Sequence, residues 1–84
     1  MTTFDFESLN LDEQATLVYD GIYLCELQAE GVIIQLHYVE QFYVEVFCSS
    51  IDETILLMRP FVNRRKLERY WERVSLKELE VYLK

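Results

Sequence analysis

Not one lysine or arginine precedes Arg59 in this 84-residue chain. The same stretch carries eleven acidic residues, while the remainder holds all eight basic residues and four acids. An acidic body repels a polyanion, so nucleic-acid binding is not expected, despite the basic run Asn63-Arg-Arg-Lys66 with Arg69 and Arg73. Glycine occurs twice, at Gly21 and Gly31, and proline once, at Pro60, so no glycine-rich phosphate loop is present. His37 is the only histidine and has no second ligand at metal spacing; it reads as an outward strand residue. No cofactor, metal site or catalytic set is expected: Ser8, Ser49, Ser50 and Ser75 have no base signature near them. Two cysteines are too few for a zinc site. Apolar runs reach four residues, too short for a membrane span, and no basic-then-apolar leader follows Met1. The cytoplasm is the expected compartment.

What is present is a strand-rich centre. Gln41-Phe-Tyr-Val-Glu-Val-Phe-Cys48 consists almost wholly of residues that fit a pleated, half-buried surface. Alternation puts Phe42, Val44, Val46 and Cys48 on one face and Tyr43, Glu45 and Phe47 on the other. The first face is wholly apolar and is expected to be the core side, with helices over it.

The other elements arrange themselves around that strand. Phe4, Phe6 and Leu9 read as an unpatterned arm. Asn10-Leu-Asp-Glu13 is close to a capping box, and Leu11, Ala15 and Val18 give one short helix that ends at Asp20-Gly21. Ile22 to Gln28 is a strand with Tyr23, Cys25 and Leu27 expected inward. After a turn at Ala29-Glu30-Gly31, Val32 to Val39 is a second, with Val32, Ile34, Leu36 and Tyr38 expected inward. A tight turn at Glu40-Gln41 leads into the central strand. Thr54 to Phe61 is the fourth, with Leu56 and Met58 inward and Ile55, Leu57 and Arg59 outward; Pro60 suits an edge. On these faces Cys25 and Cys48 both enter the core from strands separated by one other. They would then lie roughly 9–10 Å apart, twice the inter-strand spacing, and stay free thiols.

Asn63 caps a helix carrying Leu67, Tyr70, Trp71 and Val74 at helical spacing, and Ser75-Leu-Lys-Glu78 opens a last helix with Leu76, Leu79 and Leu83 on one side. Residues 1–84 therefore read as one small α+β domain. It has a short N-terminal helix, a four-stranded antiparallel meander in the order 1-2-3-4, and two C-terminal helices packed on one sheet face. Gly21-Ile-Tyr-Leu24, Phe42-Tyr-Val-Glu-Val-Phe47, Ile55 to Phe61 and Leu67-x-x-Tyr70 resemble a group of small, uncharacterised bacterial α+β proteins. That group has no established activity, so the resemblance implies a fold and carries no site residue over.

The outward sheet face gives the functional expectation. Tyr43, Glu45, Phe47, Ile55, Leu57 and Arg59 would lie there beside Ile22, Leu24, Ile33 and Val39, an apolar surface too large for a monomer to leave in water. A non-enzymatic interaction module or adaptor follows, with a protein partner or a second copy on that face; a two-fold homodimer is the simplest case. The alternative is an acidic inhibitor or immunity-type protein that masks a basic target, steered by the acids of residues 1–58.

Overall fold

The computed structural model describes residues 1–70. Two helices open the chain. Helix α1, Thr3–Glu7, starts at a Thr2–Asp5 capping box, and α2, Leu11–Asp20, at the expected one between Asn10 and Glu13. In α2 the Asn10 side chain accepts from the Glu13 amide at 2.8 Å and the Glu13 carboxylate accepts from the Asn10 amide at 3.1 Å. Two otherwise orphaned donors are thus satisfied at the positive end of the helix dipole.

Four antiparallel strands follow in the expected order: β1 Ile22–Ala29, β2 Val32–Val39, β3 Phe42–Ser49 and β4 Ile55–Phe61. The first two hairpins turn over two residues each, Glu30-Gly31 and Glu40-Gln41, so that Ala29 pairs with Val32 and Val39 with Phe42. Gly31 takes φ +78°, which glycine adopts without a Cβ penalty. Glu40 (φ +52°) and Glu53 (φ +61°) adopt the left-handed region without that freedom. A 3-10 helix, Arg64–Tyr70, closes the described chain, with Asn63 accepting from the Arg65 amide at 3.0 Å. The expected helical residues Trp71 and Val74, and the last helix with Leu76, Leu79 and Leu83, lie outside the described residues.

The sheet is covered on both faces. Phe6 of α1 and Val18 of α2 pack with Val39, Phe42, Val44, Val46, Cys48 and Met58, so the N-terminal helices do lie over the Phe42 face. Leu67 and Tyr70 pack on the other face, with Cys25, Ile34, Leu36, Tyr43 and Phe61. The expectation of C-terminal helices on the same face as the first is therefore corrected for Arg64–Tyr70. Two strands are also turned over relative to the alternation reading. Direct partners share a face, and pairing Tyr38 with Tyr43, Leu36 with Glu45 and Leu27 with Ile34 puts β2's Ile34, Leu36 and Tyr38 on the Tyr43 side, with β1's Cys25 and Leu27. Tyr23 stays on the Phe42 side opposite His37, because a bulge at Leu24 lies between it and Cys25. In β4, Met58, Leu57 and Arg59 face as expected. The register shift between Phe47 and Cys48 swings Ile55 onto the Phe42 face and leaves Leu56 59% exposed.

Candidate functional site

The Tyr43 face is a set of rows running across the four strands. Cys25, Leu36, Glu45 and Arg59 form one, and Leu27, Ile34, Phe47 and Leu57 the next. The 3-10 helix sits over the first. Its Tyr70 hydroxyl donates to the Glu45 Oε2 at 2.7 Å, and the Arg69 guanidinium reaches the same oxygen at 3.3 Å. Glu45 is thus buried at 2% exposure, where an outward carboxylate was expected, and it is satisfied by a short, charge-assisted bond. Burial, then the bond to Glu45 and its charge, push the Tyr70 phenol well above the usual tyrosine range. Tyr70 therefore acts as a neutral donor. Tyr43 is buried too, with its ring stacked on Phe61 at 5.5 Å and tilted against Tyr38 at 5.1 Å.

Of the six residues expected to form an interface, the structure brings five to one face and separates one. Tyr43 and Glu45 lie beneath the 3-10 helix, and Ile55 packs on the opposite face against Val46, Cys48 and Met58. Phe47, Leu57 and Arg59 remain at the margin. Phe47 is half-buried with the Arg59 guanidinium 5.6 Å over its ring, and Leu57 is 46% exposed. A cation over an aromatic face is attracted by the ring quadrupole, so Arg59 also covers the ring from water. Leu27 and Val32 are half-buried at the other end of the same margin.

The Phe42 face holds what the sequence reading missed. His37, expected outward, is 2% exposed, with the rings of Tyr19 and Tyr23 edge-on at 5.3 and 5.5 Å. Its Nε2 lies 3.1 Å from Gln35 Oε1, an acceptor, which places the ring proton on Nε2; Nδ1 is buried with no partner among the described residues. Burial holds the imidazole below its ordinary 6.5. Beside it, a cleft of about 330 Å³ opens between Tyr19 of α2 and the sheet, lined also by Glu26, Ile33, Gln35, Cys48 and Glu53. Burial, then the Glu53 and Glu26 carboxylates, raise the Cys48 thiol; burial, then Glu26, push Cys25 up to about 11. Both cysteines are free and buried as expected, but on opposite faces, because β1 is turned over. Protonated thiols are weak nucleophiles.

No three His, Cys, Asp or Glu side chains among the described residues are grouped to hold a metal ion, and no described helix is long and apolar enough to cross a membrane. No family model, curated protein or solved structure matches the chain. The sites therefore rest on their own chemistry: a carboxylate locked by two donors, an apolar margin at Phe47 and Leu57, and a cleft that holds two carboxylates beside Ile33, Gln35 and Cys48.

Proposed function

We propose that this chain is a non-enzymatic interaction module whose contact surface is the Phe47–Leu57 margin of the sheet, with a second copy of the chain as the simplest partner. The observation that supports this reading is the row Leu27, Ile34, Phe47, Leu57. It crosses all four strands and changes along its length from a buried Ile34 to a Leu57 that is 46% exposed. Such a strip gains most when covered by a matching one, and two-fold symmetry supplies the match. Leu57→Lys puts a charge where a dimer would bury it unpaired, while a monomer would leave it in water. Sedimentation and light scattering of the wild type and this variant test the proposal. A dimeric wild type with a folded, monomeric Leu57→Lys is expected. A wild type that stays monomeric at high concentration removes the self-pairing. Phe47→Glu is a harsher version, since it also removes the platform under Arg59.

A second reading, an acidic protein that masks a basic target, draws support from unspent charge. Of the eleven acids before Arg59, only Glu40 and Glu45 enter an ion pair among the described residues, with the N-terminal amine of Met1 and with Arg69. Salt separates the two readings, because a steered association slows steeply as ionic strength rises, whereas an apolar contact hardly changes.

A further inference from the structure

The two edges of the sheet are unlike. The β4 edge carries Arg59 and Pro60 and slips register beside Cys48, devices that discourage another strand from adding. The β1 edge, Ile22–Ala29, has no proline, lysine or arginine. Among the described residues its only strand neighbour is β2, and no hydrogen bond from another element reaches its backbone. The bulge at Leu24 confines regular pairing to Cys25–Ala29, which matches Leu36–Val32 residue for residue. Along that stretch Leu27 faces the apolar side, and Glu26 faces the cleft it shares with Glu53 and Tyr19.

We propose that β1 is a docking edge for an extended, basic segment of another protein, added along Cys25–Ala29 as a fifth strand. The order of chemistry in that segment follows from the pleat. Directly opposed residues share a face, so the residue opposite Glu26 would be a lysine or arginine, and its two neighbours, on the Leu27 side, would be apolar. Charge complementarity selects the occupant. Glu26 takes one bond, from the Tyr23 hydroxyl at 3.1 Å, and Glu53 stands across the cleft; no lining residue is basic. A basic side chain reaching past Glu26 would lay its methylenes on Ile33 and Cys48 and its charge between the two carboxylates. A second copy offers no such residue from its own first 58 positions. The row of Leu27 runs on to Phe47 and Leu57, but the two proposals dock at opposite edges of the sheet, so contacts that map to β1 or to β4 tell their outcomes apart.

The test uses the full chain, isotopically labelled, and a short fluorescent peptide of alternating valine and lysine. Two control peptides carry glutamate in place of lysine, or a central proline. Expected are saturable anisotropy, amide shift changes centred on residues 22–29, and loss of binding for both controls. Glu26→Lys should weaken the lysine peptide by about tenfold, as attraction at a half-exposed carboxylate becomes repulsion. If that variant does not fold, Glu26→Gln should weaken binding in the same direction. Shift changes centred elsewhere, or equal binding of the proline-interrupted peptide, would overturn strand addition, since charge alone would then explain the association. A wild-type dimer whose contacts map to β1 would also overturn it, in favour of a second copy.

Discussion

The bond between Tyr70 and Glu45 is the point at which the 3-10 helix is fixed to the sheet, and it allows a quantitative test. Tyr70→Phe removes one oxygen and little else, because the ring keeps its apolar contacts. The Glu45 carboxylate, 2% exposed, is then left with Arg69 alone, whose side chain is 52% exposed and 3.3 Å away. A hydrogen bond to a buried charged group contributes about 1.5–3 kcal/mol, and leaving the charge under-satisfied puts the loss near about 2–3 kcal/mol. For a domain of this size that lowers Tm by roughly 10–20 °C. Arg69→Ala should cost under about 1 kcal/mol, since an exposed pair is weak and Tyr70 still donates.

The sharper measurement is the cycle formed by Tyr70→Phe, Glu45→Leu and the pair together. Each single change strands a buried polar group, whereas the double change removes donor and acceptor at once and leaves an apolar contact. The double variant should therefore be more stable than the sum of the single losses implies, with a coupling of about 1.5–3 kcal/mol. Urea melts read it directly, provided that the slope with denaturant stays constant across the four proteins. Additive losses would refute the reasoning: Tyr70 and Glu45 would then be energetically independent, and the 3-10 helix would be held by Leu67 and ring packing alone.

Three further outcomes follow from the same geometry. Cys25 and Cys48, 6% and 7% exposed with raised thiol pKa values, should label slowly in native buffer and promptly in denaturant; fast native labelling of either would contradict its burial. His37 titrates below 6.5 when folded, so the unfolded chain takes up the proton first. Stability is full above that value and falls as pH drops below it, by up to about 1.4 kcal/mol per pH unit, and His37→Gln should flatten this segment of a urea-melt pH series. At Gly21 a Cβ would meet the Tyr38 carbonyl oxygen at 2.6 Å, whereas at Gly31 it would meet nothing. Gly21→Ala should thus cost about 1–3 kcal/mol through overpacking, and Gly31→Ala about 1–2 kcal/mol through its positive φ alone; equal, negligible losses in thermal melts would contradict both.

The element order, the α2 cap and the meander were legible because each rests on a local signal. The faces of β1 and β2 were not, because apolar residues occupy both parities there: Leu24 beside Cys25, Ile33 beside Ile34. Alternation then fails to choose a side, and hairpin geometry chooses it instead. A two-residue turn over Glu40 and Gln41 makes Val39 the partner of Phe42, and partners share a face. Counting back from Val39 puts His37, Gln35 and Ile33 on the Phe42 side, where the cleft lies. That signal was present in the sequence and outweighs the weak alternation. The bulge at Leu24 and the slip at Leu56 had no comparable signal; the first leaves Tyr23 on its expected side while Cys25 and Leu27 turn to the other, and the second turns Ile55 over. Helix α1 did have one, since Thr2 and Asp5 stand at capping-box spacing.

Glu45 is the instructive case, because its burial follows from the same strand that made it look exposed. Tyr43 and Phe47 flank it on one face and Val44 and Val46 occupy the other, so β3 is apolar on both sides, the mark of a strand covered twice. A carboxylate in such a strand needs a donor from whatever covers it. No basic residue precedes Arg59, so a cationic side-chain donor had to come from the C-terminal part of the chain. Arg59 lies directly opposite Glu45 in β4, yet its guanidinium sits over Phe47. The role passes to Tyr70 and Arg69, one helix further on. The uneven charge distribution is in this way partly structural: Arg69 meets the one acid the sheet buries most deeply. Glu26 and Glu53, which no basic side chain meets among the described residues, are left facing the β1 cleft, the charge on which the proposed basic docking segment rests.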